Sequence, residues 1–399
     1  MVYHFSGINW RSEDMQNYKL QTPIGVKDYT YDLSKKKEQL TKKLKELFIK
    51  NGYHYTETPT FEFLDVFTEN HQSLDLYKFT NRYGELVSLR SDMTRSIARL
   101  CSSELLDMPF LQKLCYNANI FRMPKEYLGK LHEFTQTGVE LIGIDSVYAD
   151  YEIVSLAIKA LQLGLKNDYM LHISSSDFFN NLFSELNIDL DLQNLIFKAI
   201  EEKNMVVIKK VLKDAKIDDA SLEMIILVIG SVGKLDLIDK IKQNVKTEKT
   251  LNSLQRLESL YKLLELSNLD GNVYFDFSLL SYGNYYTGIY FQGYSQNIGN
   301  VICEGGRYNN LLKQFNNDRP SVGFAIMINE LLDKYEADLK INEVMIYSKN
   351  KENVIKYLNN NNGFMSLEES LEDSLKYAKT YKIKNVYDLD NDKLYDCEE

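Results

Sequence analysis

Residues 121–140 read FRMPKEYLGKLHEFTQTGVE. The flanking pattern predicts two strands, 114–122 and 131–142, joined through the polar stretch at 125–129 as a hairpin with a long loop. Within the second strand Gln136 and Glu140 lie four apart. In extended chain that spacing puts both side chains on one face, so an amide and a carboxylate can converge on one ligand.

Upstream, 22–28 (TPIGVKD) is a Pro and Gly turn. Ser34 then reads as the cap of a charged helix running to about Asn51, with Leu40, Leu44, Leu47 and Phe48 at helical spacing. Its lysines read as a solvated face rather than a nucleic-acid surface. Strands are predicted over 53–63, interrupted by Pro59, and over 84–90, with a helix from Thr94 to about Leu106. Downstream come a helix over 148–163 and a strand over 169–174. From about 186 to 268 proline is absent and apolar residues recur at 3.6 spacing, which predicts a helical insertion. The β pattern resumes at 272–277, 285–293 and 300–304 and ends in a helix starting near Gly323 or Phe324. Residues 339–399 read as a separate small α/β domain with strands at 344–348 and 385–389 and helices at 351–359 and 366–382.

A chain of 399 residues exceeds what one core usually supports, so a core over 1–338 and the C-terminal domain over 339–399 are expected. The net charge of −10 supplies no overall basic field for a polyanion. Cys101, Cys115, Cys303 and Cys397 are far apart, with neither a disulfide framework nor a metal-ligand spacing. The N-terminus lacks the plan of a signal peptide, and no apolar run approaches the ~20 residues of a membrane span. A soluble, cytoplasmic protein without a metal or a cofactor is expected.

Three further stretches are distinctive: 88–94 (SLRSDMT), 281–291 (SYGNYYTGIYF) and 304–308 (EGGRY). With 121–140 they resemble the histidyl-tRNA synthetases, over roughly 22–332, and more closely the synthetase-like regulatory subunits of ATP phosphoribosyltransferase. The resemblance implies an α+β fold: a class II aminoacyl-tRNA synthetase-like antiparallel sheet flanked by helices. It also implies a histidine site. Asp92 and Thr94 match the acid and hydroxyl that hold an α-ammonium, a cation that needs fixed acceptors once water leaves. Asp92 also suits a plain helix cap. Arg122 opens the second class II motif, Gln136 and Glu140 match the QxxxE element, and Glu140 is placed to accept an imidazole N–H. Tyr285 and Tyr286 match the paired tyrosines of the RGLDYY signature, and Tyr308 is a further ring facing the pocket.

The departures bear on function. Ser281 stands where that signature has arginine, Pro124 where the second motif has glutamate, His132 where an arginine precedes the glutamine strand, and Glu330 where the third motif has arginine. An anion in place of a triphosphate-binding cation opposes adenylation. The C-terminal domain, with about two strands and an acidic end, is too short for a five-stranded anticodon-binding domain. The resemblance therefore implies no catalysis, no tRNA and no membrane. It implies a homodimer through the core, seated at the Pro59 strand with Phe61, Phe63 and Phe67. It further implies a hetero-octamer with the short-form catalytic ATP phosphoribosyltransferase subunit, and L-histidine as effector in the first step of histidine biosynthesis. The alternatives are a divergent histidyl-tRNA synthetase, told apart by ATP–pyrophosphate exchange, and a free-standing histidine-binding module.

Overall fold

The computed structural model describes residues 18–68, 76–123, 130–202, 204–215, 217–279, 285–341 and 343–397. The expected turn at 125–129, Pro124 and Ser281 lie outside the described residues. Two compact units are distinguished, one with the residues up to Tyr29 and Lys37–Tyr335, the other with Thr30–Lys36 and Glu336–Glu399.

Helix α1 (Tyr31–Lys50) starts three residues before Ser34, which therefore sits in the first turn and not at the cap. Leu40, Leu44 and Phe48 are its buried stripe, as the spacing predicts. The lysine face is partly engaged in cation–π contacts: the Lys45 Nζ lies 3.4 Å from the Tyr55 ring centroid. The strand expected over 53–63 divides into β1 (His54–Tyr55) and β2 (Phe61–Phe63). Pro59 between them has no N–H to give a ladder. With β3 (Lys78–Thr80) and β4 (Leu86–Leu89), β2 forms a three-stranded antiparallel sheet in the order β2-β4-β3.

Helix α2 (Thr94–Cys101) is shorter than expected, because the chain leaves the helix in a run of turns ahead of Pro109. The hairpin strands are β5 (Gln112–Phe121) and β6 (Glu133–Ile142), with Leu114 opposite Glu140 and Ala118 opposite Gln136. Helix α3 (Val147–Leu165), capped by the Ser146 hydroxyl, is buried along most of its length, and β7 (Met170–Ser175) follows.

The helical segment comprises α4 (Ser176–Glu185), α5 (Leu190–Glu201), α6 (Met205–Asp214), α7 (Asp219–Gly230), α8 (Leu235–Lys242) and α9 (Glu248–Leu266). Asp189, Asn204, Asp218 and Thr247 cap α5, α6, α7 and α9 through side-chain oxygens. It is not purely helical: β8 (Val232–Gly233) interrupts it and pairs with β9 (Val273–Asp276).

After β9 come β10 (Ile289–Ser295), β11 (Ile298–Arg307) and β12 (Ser321–Met327). The helix expected from Gly323 is overturned, since this stretch is β12 and only Ile328–Leu331 is helical (α10). Both faces of β12 are covered and its neighbours β6 and β11 supply its hydrogen bonds, so tertiary pairing decides its conformation. Among the described residues the main sheet has nine strands in the order β1-β5-β6-β12-β11-β10-β7-β9-β8, antiparallel from β5 through β7.

The C-terminal unit contains β13 (Met345–Tyr347), α11 (Lys351–Leu358), β14 (Phe364–Met365), α12 (Leu371–Thr380), β15 (Asn385–Asp388) and β16 (Lys393–Asp396). Its sheet has four strands, β14-β13-β15-β16, rather than two. The expectation failed at β14, which is two residues long, and at β16, where the acidic end turns back on β15. Helix α12 begins at Leu371, not near Ser366, because the Ser370 side chain caps it.

Candidate functional site

A cavity of about 420 Å3 lies over the face shared by β5, β6, β12, β11 and β10, closed on one side by the chain entering β10. All eight residues expected at the site line it: Asp92, Thr94, Arg122, Gln136, Glu140, Tyr285, Tyr286 and Tyr308. They come from four separate parts of the chain.

Glu140 is the electrostatic centre. It is 1% exposed, and its two oxygens accept from the Thr94 hydroxyl at 2.9 Å and from the Tyr308 hydroxyl. Burial pushes its carboxyl from 4.5 up to about 8; the Tyr308 and Thr94 hydrogen bonds pull back, and the Asp92 charge adds to the rise. Burial also holds the Tyr285 and Tyr308 phenols well above their ordinary range, so both are neutral donors. Tyr285 stacks on Tyr308 with centroids 5.8 Å apart and meets Tyr286 edge-on at 4.9 Å, while its hydroxyl bonds Thr94.

Asp92 stands both at the start of α2 and at the cavity wall. Its Oδ1 accepts from the Arg95 N–H at 2.9 Å in the first turn of α2, and the residue faces the cavity. Gln136, 4% exposed, directs its Nε2 to the Met327 sulfur at 3.4 Å. Arg122 is on the exposed rim, its Nε giving a 2.8 Å bond to the Ser91 carbonyl.

The floor of the cavity depends on Gly323. A Cβ there would lie 1.9 Å from Glu140 Oε2 and 2.5 Å from the Val139 carbonyl oxygen. Gly323→Ala is therefore expected to expel the Glu140 carboxylate from its position, at a cost of roughly 1–3 kcal/mol in stability. Urea unfolding, with the Glu140 titration followed by NMR, checks it; an unmoved titration sinks the claim.

Among the lining residues that the sequence reading did not place at the site, four carry hydrogen-bonding side chains: Tyr116, Tyr290, Gln292 and Glu304. The Tyr290 hydroxyl donates to Glu304 at 2.7 Å and accepts from the Gln292 amide at 2.6 Å. The signal was available in the alternation of Tyr290 and Gln292, which shares one strand face. Glu330, expected to oppose a triphosphate, is not among the described lining residues; its carboxylate accepts from the Asn300 amide at 3.0 Å. His132 also lies off the cavity, its Nδ1 2.5 Å from the Tyr77 hydroxyl.

The four cysteines are free and buried; burial pushes the Cys101 thiol up to about 12 and the Cys115 thiol to about 11. No helix among the described residues is long and apolar enough to cross a membrane.

A mostly antiparallel sheet with this cavity on its open face is the class II aminoacyl-tRNA synthetase-like fold, α+β in class. The histidyl-tRNA synthetase family matches residues 25–331. The ATP phosphoribosyltransferase regulatory subunit of Clostridium novyi (strain NT) is 34% identical, over 96% of this chain and 96% of that protein. That of Bacillus cereus (strain ATCC 14579) is 28% identical, over 95% and 94%. A solved ATP phosphoribosyltransferase regulatory subunit/histidyl-tRNA synthetase from Bacillus halodurans C superposes with a TM-score of 0.81 at 26% identity, covering 93% of this chain and 98% of that one. Histidyl-tRNA synthetase from Nostoc sp. PCC 7120 shares the fold, with a TM-score of 0.81 at 20% identity and 94% of each chain covered. The chain belongs to the ATP phosphoribosyltransferase regulatory subunits of the histidyl-tRNA synthetase family.

Proposed function

We propose that this chain is a non-catalytic subunit that assembles with, and activates, the short-form catalytic ATP phosphoribosyltransferase subunit, and that it senses L-histidine for feedback inhibition. The observation that carries the reading is Glu140, a buried carboxylate held by Thr94 and Tyr308 inside a ring of tyrosines. Such a group suits an imidazole N–H, with Asp92 and Thr94 left to the α-ammonium and Gln136 to the other end of the amino acid. Histidine inhibits through its different affinity for two states of the complex. The test is co-expression with the short catalytic subunit, followed by phosphoribosyl transfer with and without histidine. A complex whose activity ignores histidine would sink the sensor role. Failure of the two chains to co-purify would sink the partnership.

The same reading gives no adenylation and no tRNA partner, and places the protein in the cytoplasm. Ser281, Pro124 and Glu330 replace charged groups that act together in the synthetases, so restoring one arginine is expected to leave the chain inactive. Histidine-dependent pyrophosphate exchange above background would overturn this.

Self-association through the core is supported by the exposed face of β2. Phe61 and Phe63 are about half exposed, at 51% and 57%, and Phe61 packs edge-on against Phe79. Phe67 is no part of this face, being buried under Val66 and Leu76. Replacing Phe61 and Phe63 together with aspartate is expected to turn a dimer into a monomer in light scattering. A wild-type chain that is already monomeric at micromolar concentration would refute the dimer. The boundary near residue 338 and the hetero-octamer, with equal numbers of the two subunits, belong to the same proposal.

A further inference from the structure

We infer a second small-molecule site, in a cavity of about 780 Å3 between the end of β7, helices α4 and α5, and the chain at Thr287 and Asn310. Its ligand is uncharged and ring-bearing, in the class of the purine nucleosides. The inference does not rest on histidine being the ligand of the first cavity.

The lining dictates the class. Among the described residues no lysine, arginine, histidine, aspartate or glutamate lines this cavity. At the start of α4, two N–H groups are already engaged. The Ser176 N–H is bonded to the Gly288 carbonyl at 2.9 Å, and the Phe178 N–H to the Ser175 hydroxyl at 3.3 Å. A phosphate or carboxylate would thus leave water for a site without a cation, which is unfavourable. What the cavity does hold is three rings, Phe179, Phe197 and Tyr286, beside neutral hydrogen-bonding groups on Ser176, Asn194 and Asn310. The rings suit a flat aromatic base, and amides and hydroxyls can donate to and accept from both a base edge and sugar hydroxyls. The volume falls within the range of small-molecule pockets.

Tyr286 is also a wall of the first cavity. Its ring lies 4.6 Å from that of Tyr290, and a Cβ on Gly306 would come within 2.7 Å of it, so the ring is closely confined from the core side.

The test is calorimetry on the full chain with adenosine as the probe, repeated with AMP, alongside Ser184→Trp and Asn194→Leu. Both positions line the cavity and are exposed, so neither change disturbs the packing of the core. Adenosine is expected to bind the wild type, to bind each variant about tenfold more weakly, and to bind better than AMP, while histidine binding by the variants is unchanged. Three results would overturn the proposal. They are no adenosine binding at millimolar concentration, equal binding by Ser184→Trp, or competition between adenosine and histidine for one site.

Discussion

Glu140→Gln is expected to weaken histidine binding by roughly 1–3 kcal/mol, the scale for losing a charge-assisted hydrogen bond in a buried site. The amide is nearly the same size, so the complex should stay assembled and active but respond poorly to histidine. Calorimetry on the mutant complex gives the answer, and an unchanged affinity would move the sensor elsewhere. The pH dependence supplies an independent reading. The carboxyl is raised from 4.5 to about 8 by burial, so the folded chain holds this proton more tightly than the unfolded one across that window. Glu140 therefore stabilises the fold least at high pH: its contribution declines as pH rises from about 4.5 through about 8, by on the order of 5 kcal/mol. Glu140→Gln should remove that decline, giving a variant that is less sensitive to alkali in unfolding experiments. Under the proposed reading, histidine pairs with the ionised carboxylate and should displace the proton. Its affinity for the wild type should rise with pH toward 8, and the binding heat should vary with the ionisation enthalpy of the buffer. A binding heat independent of the buffer would refute coupled proton release.

The second large effect concerns Asp150, which lies on α3 with its side chain inaccessible to solvent. Its Oδ1 accepts from Arg307 Nε at 2.9 Å and from Nη2 at 2.7 Å, and its Oδ2 accepts from Arg256 Nε at 2.7 Å. Arg307 is itself 1% exposed, with its Nη1 on the Ile144 carbonyl. Asp150→Ala would leave the buried Arg307 guanidinium only the exposed Asp145 carboxylate, 3.5 Å from its Nε, a loss on the scale of breaking a buried pair, about 3–5 kcal/mol. Arg307 directly precedes Tyr308, so the loss should also disturb the partner of Glu140. Urea unfolding should show the midpoint falling steeply in Asp150→Ala and much less in Arg256→Ala, whose removal leaves the Asp150–Arg307 pair intact. Equal, small shifts in both would refute the assignment.

The parts of the fold that the sequence revealed are those written in local periodicity. The α1 stripe of Leu40, Leu44 and Phe48 and the hairpin with Gln136 and Glu140 on one face are of this kind. The stretch 321–327 was misread because its neighbours are distant in the chain. Apolar residues on both faces erase the alternation, and the Gly323 that signals close approach makes its contact with Glu140, far back in the sequence. Strands as short as β8 and β14 carry no period at all. The site was legible where motif residues bear distinctive chemistry. Tyr116 was hidden, since its role comes from standing opposite Gly138, a cross-strand pairing that spacing within one strand does not display. The placement of Glu330 on α10, away from the cavity lining and bonded to Asn300 of β11, rests on a contact between distant parts of the chain that the sequence does not display.

The Asp150 network also determines where this chain can be cut. The helical segment looks like a cassette that could be lifted out to leave a minimal core. Its last helix, however, sends the part-buried Arg256 to the buried Asp150 and, at 2.6 Å, to the exposed Asp145. Ser253, one turn earlier, bonds Asp177 at 2.7 Å and so ties α9 to α4. A deletion that runs through α9 strips a cation from a buried carboxylate. One that stops before Thr247 keeps α9, its cap and its arginine. The severable module therefore ends before its last helix, and α9 belongs to the core although the chain reaches it only after the insertion.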